Sequence, residues 1–282
     1  MMSLDPTKTL SLRKKAIAQI ERRFKILKRL IIQSLIKGGV FASKGGILAN
    51  AEPLDPPPFG YATDKERIEA FMAWLRKTIA ETVWDGVTEA ERLWLNQIIE
   101  QAYVKGIAFS QSSIENVSPI ATDGVVIQSF VQTTAQRLLV PMHLDRVSYI
   151  YTRTFTDLKN VTEVMASQMQ TVLSDALFGG LGAKETAEKL LEKIEKIGVN
   201  RAKLIARTEI VNAYQQAVIT EGELYTQVTG EEVFYKWQTA EDERVRSTHR
   251  ARNNKIYTKK QVITLVGEPN CRCRVFLAFK KD

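Results

Sequence analysis

Near the end of this 282-residue sequence, Pro269-Asn270-Cys271-Arg272-Cys273 places the only two cysteines two residues apart. In a β-strand such residues point to one face at about 6.6 Å, near the upper limit for a disulfide but suitable for two thiolates gripping one metal ion. His249 is the candidate third ligand. No fourth is evident, and structural zinc normally takes four, so no metal or other cofactor is assigned. His249, Cys271 and Cys273 stand as zinc candidates beside a plainer reading, in which the thiols are buried as small apolar groups. Upstream, Asp242, Arg244 and Arg246 precede His249 within one turn and helix start. A metal- or histidine-dependent nuclease would use His249 as base and an arginine as phosphate clamp. The plainer alternative has Asp242 capping a helix near Arg244 and His249 satisfied by a hydrogen bond. In Arg207-Thr208-Glu209 the glutamate would need burial or a charged neighbour to become a useful acid or base. Otherwise the run is a structural pair that ties its helix to the β-rich end of the chain. The other histidine, His143, follows Pro141-Met142 and reads as a surface or capping residue. No Walker loop, G-x-G-x-x-G, H-E-x-x-H or G-x-S-x-G occurs, so no catalytic residue is assigned and no enzyme is expected.

A second chemistry lies at the other end. Arg13, Lys14, Lys15, Arg22, Arg23, Lys28 and Arg29 crowd one helix and suit sequence-independent contacts with phosphates. The same cations would also serve a solvated face, an acidic protein surface, or a membrane surface. Formal charge is segregated along the chain: +9 over residues 1–44, −8 over 45–235 and +7 over 236–282. Two basic ends flanking an acidic middle suggest that the ends face a polyanion or an acidic partner.

The elements that must carry these residues are mostly helical. Ile17, Ile20, Phe24, Leu27, Ile31 and Leu35 recur at three and four and predict a helix over 11–36, stopped by Gly38-Gly39. Gly45-Gly46 and Pro56-Pro57-Pro58 mark a tether. Thr63/Glu66 and Thr88/Glu91 have the spacing of capping boxes, with stops at Gly86 and Gly106. Further stripes lie in 126–139, 144–158, 164–177, 185–197 and 201–228. After Gly230 the pattern turns to alternation, predicting strands near 232–238, 255–258 and 272–279. The fold class is therefore mainly α: a helical N-terminal and central region with a small C-terminal α+β module. The expected blocks are a basic amphipathic arm (1–37), a Gly/Pro-rich linker (38–62), a helical domain (63–199) and the α+β module (200–282). No apolar run approaches the roughly 20 residues that span a bilayer. Met1-Met2-Ser3-Leu4-Asp5-Pro6 has neither an early basic cluster nor an apolar stretch, so secretion by that route is not expected, and the sparse cysteines fit a reducing cytoplasm.

The order Ala206-Arg207-Thr208-Glu209, Gly222, Lys236-Trp237, Asp242, Arg244, Arg246, His249 and Pro269-Asn270-Cys271-Arg272-Cys273 resembles the phage head morphogenesis family, the minor head proteins similar to protein F of phage Mu. Asp5-Pro6-Thr7, Arg22-Arg23-Phe24 and Ala102-Tyr103-x-x-Gly106 look like their helical front half. Asn253-Asn254 departs from the family, whose members tend to show a glycine turn there. The resemblance implies a low-copy virion component, made in the host cytoplasm and lying inside the capsid near the portal vertex. Its implied partners are the portal protein, the major capsid or scaffold protein, and double-stranded DNA held without sequence preference, with no small-molecule substrate. Procapsid assembly and genome packaging or ejection are the implied roles, and the family motif residues are implied to be structural. Some relatives carry toxin or nuclease domains after this module; the sequence stops nine residues beyond Cys273, so none is expected. A membrane-active ejected protein, using the first helix and Ile47-Leu48, is the remaining alternative.

Overall fold

The computed structural model describes residues 5–38, 40, 59, 63–117 and 133–279. Most of the expected linker 38–62, including Ile47-Leu48, and the part of the 126–139 stripe before residue 133 lie outside the described residues. The elements are α1 (Leu10–Lys37), α2 (Asp64–Val83), a 3-10 turn (Ala90–Arg92), α3 (Asn96–Val117), α4 (Thr134–Leu138) and α5 (Pro141–Gly179). They continue with α6 (Ala183–Lys193), a π-helical turn (Ile194–Val199), α7 (Asn200–Thr229), β1 (Phe234–Gln238), α8 (Ser247–Arg250), β2 (Ile256–Tyr257), α9 (Lys259–Val262) and β3 (Arg274–Ala278). The protein is mainly α with a small α+β module at its C-terminal end, as the alternation after Gly230 predicts.

Several local signals act as expected. Thr63 caps α2, its hydroxyl accepting from the Glu66 N–H while the Glu66 carboxylate accepts from the Thr63 N–H. α5 ends at Gly179, with Gly180 at φ +73°. Other expectations are corrected. Thr88 does not start an α-helix; a 3-10 turn with Glu89 at its N-cap intervenes before α3 begins at Asn96. Gly106 does not stop α3, which continues to Val117. Its glycine serves close approach: a Cβ there would lie 2.4 Å from the Tyr214 carbonyl oxygen of α7. The stripes at 144–158 and 164–177 belong to one helix, α5, because the intervening Lys159-Asn160-Val161-Thr162-Glu163 holds no glycine or proline to break it.

The chain divides into two compact bodies, one of Met1–Ala16, Leu95–Thr154 and Leu204–Asp282, the other of Ile17–Trp94 and Phe155–Lys203. Each is built from segments distant in sequence, whereas composition alone suggests consecutive blocks. In the second body the α1 stripe Ile20, Phe24, Leu27, Ile31 and Leu35 is buried, so these residues form core rather than a free arm.

The first body holds the sheet, in the order β2-β1-β3 with both pairings antiparallel. Tyr235 opposes Leu277 and Trp237 opposes Val275, so one face of β1 and β3 is apolar and buried with Tyr214, Val218, Ile219 and Val262. Phe276, which breaks the sequence alternation, sits half-buried on the other face below the Arg274 guanidinium, 5.6 Å from its ring centre. Gly222 of α7 admits the sheet: a Cβ there would meet the Tyr235 hydroxyl at 2.5 Å. Tyr235 instead donates to the Ile219 carbonyl at 3.2 Å. Asn254 takes φ +62°, a left-handed position that asparagine tolerates, and the Asn253 side chain accepts the Thr239 N–H at 2.9 Å. Asparagine thus supplies the left-handed residue of this turn.

Candidate functional site

Glu268-Pro269-Asn270-Cys271 forms a β-turn closed by the Cys271 N–H on the Glu268 carbonyl at 3.1 Å. Proline in the second position presets φ, and Asn270 takes the positive φ (+55°) that the third position of a type II turn requires. Two side chains of α7, seven residues apart and therefore on one helix face, pin this turn and the segment around it. Thr208 Oγ1 accepts the Asn270 N–H at 3.1 Å. Buried Gln215 donates to the Cys273 carbonyl at 2.9 Å and accepts the Gly267 N–H at 3.4 Å. Cys271 and Cys273 therefore precede β3 instead of lying in it, which corrects the strand geometry expected for the pair.

Both thiols are free and buried. Opposite them, the short helix α8 presents His249, only 3% exposed. Its Nδ1 lies 3.4 Å from Cys273 Sγ and 3.6 Å from Cys271 Sγ, and its Nε2 lies 2.6 Å from a Glu268 carboxylate oxygen. Arg252 donates to the other oxygen of Glu268 at 2.6 Å, and Arg246 bonds Glu268 at 3.2 Å as well as the Pro269 carbonyl. Trp237 stands edge-on to His249, 5.8 Å between ring centres, and carries the Arg252 guanidinium on its face. The Cys271–Arg272–Cys273 order puts Arg272 on the opposite side, where it grips Asp242 with two bonds of 2.5 Å.

The electrostatics arise from these contacts. A hydrogen bond from the Cys273 thiol, helped by His249 and the Cys273 backbone N–H, outweighs burial and pulls the Cys271 thiol well below its usual range. The Cys273 thiol, donating to that sulfur and buried beside it, is pushed up. His249 is held above the usual imidazole range by Cys271 foremost, and by Glu268, against its own burial. Burial disfavours the Glu268 anion, yet the bonds from Arg252 and His249 prevail and keep its carboxyl below the ordinary range.

Among the described residues, His249, Cys271 and Cys273 are the group of three such side chains placed to hold one ion, their ligand atoms within 4.8 Å of one another. A shallow cleft of about 110 Å³ opens beside them, lined also by Ala240, Arg244, Arg246 and Arg272. Asp242 caps the turn before α8 by accepting the Arg244 N–H at 3.1 Å, while α8 itself starts from Arg246.

The remaining residues singled out in the sequence fall elsewhere. Glu209 does not pair with Arg207; it binds Arg153 of α5 and accepts from Asn212 at 3.4 Å. Thr208 makes the tie to the C-terminal module, and Arg207 forms no ion pair among the described residues. On α1, Arg13 bonds Asp5 at 2.7 Å, Arg23 grips Asp85 and lies over the Trp94 ring, and Lys28 pairs with Glu195 at 2.5 Å. Lys14, Lys15, Arg22 and Arg29 are exposed and form no ion pair among the described residues. His143 is wholly buried, not at the surface. Sequence reasoning missed Glu268, Gln215 and Arg252; the one signal for them was Glu268 directly before the Pro-Asn turn.

No curated protein and no solved structure matches the chain. A family model does match residues 167–276, a stretch that contains His249, Glu268, Cys271, Cys273 and the α7 side chains that pin them. Over those residues the chain is similar to the family described as Phage Mu protein F like protein.

Proposed function

We propose that this chain is a minor head protein that joins the portal during procapsid assembly, lies inside the capsid near the portal vertex and touches the packaged genome through phosphate contacts. The observation that carries the DNA part is the division of labour on α1. Arg13, Arg23 and Lys28 are spent on internal carboxylates, whereas Lys14, Lys15, Arg22 and Arg29 project to solvent without ion pairs among the described residues. Exposed cations release counterions on meeting phosphates and read no bases. The family match over 167–276 supports the head assignment. The reading gives the chain no chemical step, and no described helix is long and apolar enough to cross a membrane.

The test compares the full chain with a Lys14→Ala, Lys15→Ala, Arg22→Ala, Arg29→Ala variant in double-stranded DNA binding across salt concentrations. Each lost phosphate contact should flatten the log–log salt slope by about 0.9, so four lost contacts should flatten it by about 3 to 4. An unchanged slope removes the DNA contact from the proposal. Co-purification with the portal protein, and a mass-spectrometric count in purified particles, test the remainder; absence from both overturns it.

A further inference from the structure

We propose that His249 Nδ1, Cys271 Sγ and Cys273 Sγ bind one zinc ion, with Glu268 as the outer partner that aims the imidazole and the fourth position taken by solvent from the adjoining cleft. The proposal is independent of the portal and DNA reading, because it concerns the folded chain alone.

Four observations converge. The first is distance. With Zn–N near 2.0–2.1 Å and Zn–S near 2.3 Å, a tetrahedron has an N···S edge of about 3.5 Å. The two Nδ1···Sγ separations are 3.4 and 3.6 Å. The corresponding S···S edge is about 3.8 Å. All three atoms lie within 4.8 Å of one another, so at most a small thiol rotation completes the triangle. The second is tautomer control. A zinc-bound histidine normally gives its other ring N–H to a carboxylate, and Glu268 stands 2.6 Å from Nε2, which leaves the Nδ1 lone pair facing the sulfurs.

The third is donor chemistry. Two sulfurs and an imidazole nitrogen converge on one point, while the neighbouring guanidiniums bond carboxylates, Arg252 and Arg246 that of Glu268 and Arg272 that of Asp242. This S₂N donor set suits zinc over magnesium or calcium. The fourth is rigidity. Thr208 and Gln215 pin the turn that bears the sulfurs, and Trp237 backs the imidazole, so the ligands are held before any ion arrives. Binding replaces thiol and imidazolium protons by the ion and releases them to solvent.

The test uses the full chain, purified without chelators from zinc-supplemented cells. Metal analysis should find close to one zinc per chain, and cobalt(II) exchanged into the site should give a thiolate-to-metal charge-transfer band with intense tetrahedral d–d absorption. Cys271→Ser and Cys273→Ser should each abolish that band. Glu268→Gln keeps all three ligands and should still bind, about 10–100-fold more weakly, as expected of an outer partner. If the cysteine variants fail to fold, the wild-type cobalt spectrum and the Glu268→Gln affinity still decide. Folded wild-type protein that carries no zinc and shows no charge-transfer band with added cobalt overturns the proposal. So does a Cys271–Cys273 disulfide in protein from reducing cytosol.

Discussion

The first body buries two histidines, and each meets a glutamate through Nε2. His143 Nε2 lies 2.9 Å from Glu221, and its Nδ1 lies 2.9 Å from the Tyr103 hydroxyl. Glu221, itself fully buried, also takes two bonds from Arg137 Nε and one from Nη2 at 3.0–3.2 Å. Every strong group in this cluster meets an oxygen or nitrogen partner. Burial even pushes the Tyr103 phenol up, so it stays a neutral donor or acceptor. His249 differs in one respect: its Nδ1 faces two sulfurs, groups that ionise readily and bind soft metals, beside a cleft open to solvent. A buried histidine is therefore a structural member or a ligand according to what its second nitrogen meets, while the carboxylate on the first is common to both.

The largest expected effect breaks the closed cluster. Glu221→Gln removes the carboxylate that balances the buried Arg137 guanidinium, and breaking such a pair costs about 3–5 kcal/mol. Chemical denaturation should register this loss. The zinc content of the remaining folded protein should be unchanged, because the His249 site shares no ligand with Glu221. A cost below about 1 kcal/mol would mean that the Glu221 cluster is not a structural counterpart of the His249 site.

The next effect sharpens the open cluster. Thr208→Val keeps the size of the side chain but removes the acceptor for the Asn270 N–H, leaving that group to water in a turn whose Pro269 and Asn270 are exposed. Losing a hydrogen bond of this kind costs about 0.5–1.5 kcal/mol. Because the turn carries Cys271, zinc affinity should fall along with stability. Loss of stability with unchanged affinity would show that the pinned turn does not organise the ligands.

The contrast also shows why one cluster was legible in the sequence and the other was not. Cys271-x-Cys273 announces itself because both ligands share one short stretch, and the α1 stripe Ile20, Phe24, Leu27, Ile31 does so because a 3.6-residue period is a local property. The pairing of His143 with Glu221 spans 78 residues, and that of His249 with Glu268 spans 19. No period connects such partners; only tertiary packing does. The same limit explains Gly106, whose signal as a helix stop is overridden by the need to bring α3 against the Tyr214 carbonyl. It also explains Thr208 and Gln215, ordinary helix residues until the turn at 267–273 comes to rest on them.

The smallest effect isolates what burial contributes. In the second body Arg23 grips Asp85 with both oxygens, as Arg137 grips Glu221, but the Asp85 side chain is 53% exposed. Water already solvates that carboxylate, so little is gained by pairing it and little is lost by removing it; exposed pairs of this kind are worth about 0.2–1 kcal/mol. The Arg23 hydrogen bond still holds the Asp85 carboxyl below its usual range. The native state therefore binds this proton less readily than the unfolded chain does. Its contribution is present in full above the unfolded value of about 3.9 and is lost as the pH falls through the lower folded value. Asp85→Asn should lower stability near neutral pH by no more than that small amount, and the difference from wild type should vanish in strong acid. A loss at neutral pH as large as that of Glu221→Gln would mean that chelation by arginine, rather than exclusion of water, makes the Glu221 cluster costly to break.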